Sequence, residues 1–204
     1  MGQAVPETIQ VLHVDDNPEF AELAATFVEQ EDDRLTVDIA TSASEALDRL
    51  TEEQIDCIVS DYEMPEQNGI EFLKTVRKRY PDLPFILYTG KGSEEIASDA
   101  ISAGVSDYLQ KGTGTERYEL LANRILIHVE QTYTQRELEA RECHLRQAQT
   151  VADLGSWKLD PDTGEMEWSD EVYRLLGLPE DEPMSYERAL KYVPQEDRDI
   201  VDEE

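Results

Sequence analysis

The chain carries 204 residues, with 47 Asp and Glu against 18 Lys and Arg, a formal charge of −29 at neutral pH. That length supports one good core and a second, partial one, and so acidic a balance argues against nucleic acid as a partner, because such binding rests on neutralising phosphates with Lys and Arg. No apolar stretch approaches the roughly 20 residues that span a bilayer, and two cysteines, Cys57 and Cys143, make neither a disulfide framework nor a zinc site.

The start, Met1-Gly2-Gln3-Ala4-Val5-Pro6, lacks the basic residues and apolar run of a signal peptide, so a cytoplasmic protein away from membranes is expected. Val11-Leu12-His13-Val14 is a short apolar run closed by Asp15-Asp16 and Asn17-Pro18, and Pro18 suits the first turn of a helix. That helix carries Phe20, Leu23, Ala24, Phe27 and Val28 at three- and four-residue spacing, which predicts an inward stripe. Leu35 to Ile39 alternates as a second strand, and Ser44 is predicted to cap a helix over Glu45 to Leu50. Ile55 to Ser60 is a third apolar run, with Cys57 as a buried thiol, and it ends at Asp61. Pro65 and Asn68-Gly69 form a loop that opens a helix with Ile70, Phe72, Leu73 and Val76 facing inward. Phe85 to Tyr88 delivers Thr89, Glu94 to Ser102 reads as a fourth helix stopped by Gly104, and Val105 to Leu109 leads to Lys111.

Five strands alternating with helices predict an α/β fold, a parallel sheet covered on both faces. A fifth helix is expected from near Thr115 to about Thr150, with Leu121, Ile125 and Val129 against the sheet. Beyond them the helix is polar, and Leu138, Leu145 and Ala152 recur every seven residues. A solvated helical linker and a coiled-coil dimer seam both fit that pattern. At Gly155 the texture changes to Trp, Gly, Tyr and turn residues, so the expected divisions are 7–129, 130–150 and 151–204. Regular apolar runs argue against a disordered acidic chain. The even spread of charge predicts a halophilic protein, because self-repulsion is screened within about 3 Å at 1 M salt.

In an open parallel sheet, ligands bind beyond the carboxyl ends of the strands. Asp15-Asp16, Asp61, Thr89 and Lys111 all emerge at such ends and are expected to converge. Three carboxylates, a hydroxyl and an ammonium suit Mg²⁺ plus a phosphoryl group. An isolated Asp after a strand is usually a turn former; four matched strand ends make a stronger case.

These residues lie in Val14-Asp15-Asp16-Asn17, Ser60-Asp61-Tyr62-Glu63-Met64-Pro65 with Asn68-Gly69, Tyr88-Thr89-Gly90 and Asp107-Tyr108-Leu109-Gln110-Lys111, and residues 8–129 thereby resemble the receiver domain of a two-component response regulator. The resemblance implies a five-stranded, doubly wound, flavodoxin-like sheet. It makes Asp61 the acceptor of a phosphoryl group from a partner histidine kinase or phosphotransfer protein. Asp15, Asp16, Asp61 and the backbone carbonyl of Glu63 would hold Mg²⁺, Lys111 would pair with phosphoryl oxygens, and Thr89 would hydrogen-bond the group once formed. Tyr108 resembles the aromatic that changes rotamer in response, although a tyrosine at a sheet edge is also ordinary. Gln110-Lys111-Gly112 departs from the family's frequent Lys-Pro. A homodimer through the fourth helix, fifth strand and fifth helix is a further family expectation. From their places two past Asp61 and two past Thr89, Glu63 and Lys91 are expected to pair across the site and slow loss of the phosphoryl group.

Ala152 to Asp160, Thr163-Gly164, Glu167 to Glu171, Tyr173 to Leu178 and Val193 to Arg198 resemble the start of a PAS sensor domain, an α+β segment of which about half is expected in 151–204. Trp157 and Trp168 are expected in its core, with no cofactor. The whole reads as a phosphoacceptor switch and not as an enzyme. One rival is a Mg²⁺-dependent phosphatase of the haloacid-dehalogenase type, which resembles Asp-x-Asp after its first strand, whereas here the pair is adjacent. Another is the N-terminal piece of a larger sensor histidine kinase, although His13 lies in the first strand and His128 and His144, on the long helix, lack the flanking acidic and proline residues of a phosphoaccepting motif.

Overall fold

A computed structural model describes residues 6–90, 94–152, 154–160, 163, 165–179, 184–185, 189 and 191–192. Lys91, most of Met1 to Pro6, and Val193 to Arg198 lie outside the described residues, as do Asp153 and Gly164. The chain divides into two compact units, 1–138 and 139–204.

In the first unit, β1 (Ile9–Val14), β2 (Leu35–Ala40), β3 (Cys57–Ser60), β4 (Phe85–Thr89) and β5 (Asp107–Gln110) form one parallel sheet in the order β2-β1-β3-β4-β5. The apolar runs are the strands, as expected for a sheet buried on both sides. Between them run α1 (Pro18–Glu31), α2 (Ala43–Glu52), α3 (Gly69–Arg79) and α4 (Glu94–Ser102), and α5 (Glu116–Val151) follows β5. Alternation along each strand sends its side chains into two cores. Leu12, Ile58, Phe85 and Leu87 join Phe72, Leu73 and Val76 of α3 on one face. Ile9, Val11, Val59, Ile86 and Tyr88 join Val28 of α1 and Leu121, Ile125 and Val129 of α5 on the other.

Two local expectations are corrected. Ser42, not Ser44, caps α2, its side chain accepting from the Glu45 amide at 3.2 Å. The helix starts at Ala43 because Ala43 and Ala46 are the small residues that fit against the sheet. On α1, Ala21, Ala24, Ala25 and Val28 are buried, and Phe20 and Phe27 pack against the same core as expected, but Leu23 is 48% exposed. Alanines let the helix backbone approach the strands, and the rotation that brings them inward carries Leu23 out.

At the sheet end opposite Asp61, Tyr133 of α5 donates to Asp56 Oδ1 at 2.7 Å, and the Gln10 amide donates to Asp56 Oδ2 at 2.9 Å. Burial, then this bond to a carboxylate, pushes the Tyr133 phenol up to about 12.

In the second unit, β6 (Trp157–Leu159), β7 (Glu165–Trp168) and β8 (Met184–Ser185) form an antiparallel sheet in that order, with α6 (Asp170–Leu176) ending at Gly177 in the left-handed conformation, φ 66°. Trp168 packs on Tyr173 at 5.7 Å between ring centroids. Trp157, expected in the core, is 56% exposed. It sits on the edge strand, and among the described residues the cluster around Tyr173 forms against β7 instead.

Candidate functional site

The strand order reverses between β1 and β3, and the crevice at such a switch point is where open α/β sheets bind ligands. β1 delivers Asp15 and Asp16 there and β3 delivers Asp61, with the Asp61 amide donating to Val14 O at 2.8 Å. One carboxylate oxygen from each of Asp15, Asp16 and Asp61 lies within 4.8 Å of the others. Lys111 reaches in from the end of β5, its Nζ 2.7 Å from Asp15 Oδ2 and 3.2 Å from Asp61 Oδ1. The Lys111 amide donates to Thr89 O at 2.8 Å, which registers the lysine against the end of β4.

The two inner carboxylates are held differently. Asp15 is 1% exposed and accepts from the Asn17 amide at Oδ1 (2.9 Å) and from Lys111 at Oδ2. Asp61 uses Oδ1 for both the Tyr62 amide (2.8 Å) and Lys111, and its Oδ2 accepts no hydrogen bond among the described residues. Burial raises the Asp61 carboxyl above its ordinary value, against the pull of Lys111. Asp16 is exposed, as is Glu63, two residues past Asp61. Thr89 is fully buried at the end of β4, and Tyr108 is half-buried on β5 against the core that contains Leu87. Glu63 is described, but its expected partner Lys91 is not.

Three carboxylates facing one ammonium leave an excess of negative charge, and their hard oxygen donors fit a small divalent cation such as Mg²⁺, which is commonly held by one or two carboxylates and water. That donor set also suits phosphoryl chemistry, with one Asp61 carboxylate oxygen left open by the described residues.

The loop carrying Asp61 is built by close packing. Asn68 caps α3 in a capping box with Glu71, and the Gly69 amide donates to Tyr62 O at 3.0 Å. A Cβ on Gly69 would lie 2.3 Å from Asp61 O and 2.7 Å from Leu87 Cδ1. Gly69→Ala is therefore expected to cost about 1–3 kcal/mol, as overpacked sites do, in a denaturant titration. An unchanged midpoint would mean the loop yields freely.

Three neighbours of the site were not singled out from sequence: His13, Phe20 and Arg117. A period of two places His13 on the same strand face as Asp15, which is the signal that could have found it. His13 Nε2 lies 4.0 Å from Asp15 Oδ2. Burial pushes His13 down to about 4 from 6.5, with Lys111 adding to the effect and Asp15 opposing it. The unfolded chain thus takes up a proton below 6.5 that the native state refuses until about 4, so His13 costs stability as pH falls through that window. His13→Leu is expected to lose less stability than wild type as pH falls between those limits, in urea titrations at fixed ionic strength. Parallel pH profiles would show that native His13 takes up its proton as readily as the unfolded chain.

The fold and this acidic pocket define a doubly wound α/β domain with its site at the switch point of the sheet. Residues 11–123, more than half of the chain, match the response regulator receiver domain, and the chain belongs to that family of two-component signalling. The DNA-binding transcriptional regulator NtrC of Proteus hauseri is 31% identical over 135 residues, which cover 66% of this chain and 26% of that protein. Response regulator SaeR of Staphylococcus aureus strain USA300 is 31% identical over 125 residues, 61% of this chain and 54% of that protein. The chain thus spans about a quarter of one relative and about half of the other. A receiver domain protein from Clostridium thermocellum superposes with a TM-score of 0.56 at 25% identity, over 62% of this chain and 98% of that one. The beryllofluoride-activated NtrC4 receiver domain dimer gives 0.53 at 30% identity, over 61% and 98%. Among the described residues no helix is long and apolar enough to cross a membrane.

Proposed function

We propose that this receiver is a phosphoacceptor switch in which Asp61 takes a phosphoryl group from a phosphohistidine on a histidine kinase or phosphotransfer protein. The observation that carries the reading is the asymmetry of Asp61: Oδ1 is tied down by Tyr62 and Lys111, while Oδ2 accepts no hydrogen bond from the described residues. Oδ2 attacks phosphorus, the P–N bond breaks, and its electron pair leaves with the imidazole. Asp15, Asp16, Asp61 and the Glu63 carbonyl would hold Mg²⁺, whose charge lets an anionic carboxylate meet an anionic phosphoryl group. Lys111 neutralises the product's oxygens, and Thr89 and Tyr108 carry the response at the ends of β4 and β5. The protein transmits a state and turns over no diffusing substrate.

A homodimer through α4, β5 and α5 is supported by exposed Ile101 on α4 and Leu120 and Ile127 on α5, beside the Arg124–Asp107 pair at 3.4 Å. Residues 151–204 serve as a PAS-like segment, a role supported by the antiparallel strands and α6. The acidic surface suits solution at molar salt and no nucleic-acid partner. The test is intact mass after exposure of the protein to a small acyl phosphate in molar salt, with and without Mg²⁺. A Mg²⁺-dependent gain of one phosphoryl group is expected; no gain in a folded sample overturns the proposal.

A further inference from the structure

Lys111 does not rest on carboxylates alone. Its Nζ lies 4.5 Å from the centroid of the Phe20 ring and 6.0 Å from that of Tyr88. Phe20, Tyr88 and His13 form a contiguous aromatic cluster, with centroids 6.1 Å apart for Phe20–Tyr88 and 6.3 Å for Phe20–His13. The ammonium therefore has two carboxylates on one side and an aromatic face on another, in a site where it is mostly buried.

The ring is placed through Asp15. Asp15 Oδ1 accepts from the Asn17 amide, and Asn17 Oδ1 in turn caps α1 by accepting from the Phe20 amide at 3.1 Å. A second cation braces the same ring: the Arg117 guanidinium lies 5.7 Å from the Phe20 centroid and 4.5 Å from that of Tyr118. Arg117 also donates to Gly112 O, the carbonyl just after Lys111, and to Tyr118 Oη at 2.6 Å. Tyr118 is stacked on Phe27 of α1 at 4.9 Å. Nothing would lie within 4 Å of a Cβ at Gly112 or Gly114, so side-chain packing does not fix this loop at its glycines. Arg117 ties it down instead.

We propose that Phe20 is a positioning residue for phosphoryl transfer, its ring, braced by Arg117, holding the Lys111 ammonium at the acceptor. The proposal rests on the phosphoacceptor reading of Asp61. Its physical content is that Lys111 must release Asp61 Oδ1 to meet the incoming phosphoryl oxygens. A cation–π contact, unlike a second carboxylate, holds the charge without competing for that bond.

The test compares wild type, Phe20→Leu and Phe20→Tyr in the full chain. Initial rates of phosphoryl gain are read by intact mass with a small acyl phosphate and Mg²⁺. In parallel, the ring-current shift of the Lys111 ε-methylene protons, assigned with Lys111→Met, is read without phosphodonor. Leucine keeps apolar bulk and removes the π face; tyrosine keeps the face. Phe20→Leu is expected to slow phosphoryl gain by about tenfold, the scale of a partly desolvated cation–π contact, and to lose the shift. Phe20→Tyr is expected to restore both. A wild-type rate and shift in Phe20→Leu overturn the proposal, as does equal slowing in both variants, which would mark Phe20 as packing alone. Should wild type gain no phosphoryl group, the acceptor reading falls and this proposal with it, whatever the shift shows.

Discussion

Asp61→Asn is expected to abolish the Mg²⁺-dependent mass gain and, at the same time, to raise the melting temperature of the cation-free protein. The two effects have one origin. Burial holds the Asp61 carboxyl above its ordinary value, so its charge costs stability at neutral pH, and that cost is relieved as pH falls and the group takes up a proton. Asparagine keeps an acceptor for the Tyr62 amide, now 2.8 Å from Oδ1, and removes the charge and the nucleophilic oxygen together. Calorimetry and intact mass on the same samples check both halves. A variant that still gains a phosphoryl group would move the acceptor elsewhere. A lower melting temperature would mean that the attraction between Lys111 and Asp61 outweighs burial.

Lys111→Met should have the opposite thermal sign. It strands Asp15, whose Oδ2 is 2.7 Å from the ammonium and which is almost wholly buried, beside Asp61 with no cation between them. Breaking a buried pair by removing one partner costs about 3–5 kcal/mol, and here the loss falls in the divalent-free protein. Added Mg²⁺ should restore a larger share of stability to the variant than to wild type, because it meets carboxylates that no longer have a counter-charge. Phosphoryl gain is expected to slow by about 10²–10³, the scale for losing one electrostatic stabiliser. Thermal melts with and without Mg²⁺ test the first claim and acyl-phosphate time courses the second. Unchanged values in both would make Lys111 a bystander.

Much of this architecture was legible in the residues. Parallel strands buried on both faces leave continuous apolar runs, and the runs ending at Val14, Ser60 and Thr89 are strands of the central sheet. Because those runs end where the sheet ends, the polar residues after them were bound to gather at one edge. What failed was finer. Ser42 and Ser44 both offer a hydroxyl to a helix start, and the choice is made by which alanine must touch the sheet. Leu23 has the spacing of an inward residue, yet three alanines turn the helix by demanding closer approach. Trp157 reads as core until the pairing puts it on an outer strand. Phe20 matched a simple apolar stripe, and nothing in its spacing tells that a lysine 91 positions later will sit over its ring.

The missing hydrogen-for-methyl margin at Gly69 also gives the acceptor a direction. The carbonyl of Asp61 backs onto a residue that has no side chain to withdraw, with the Leu87 methyl beside it and the Ser60 hydroxyl hydrogen-bonded to that carbonyl at 2.9 Å. The Asp61 carbonyl is therefore boxed in on the side of α3, and a change of shape at Asp61 meets resistance from that part of the backbone.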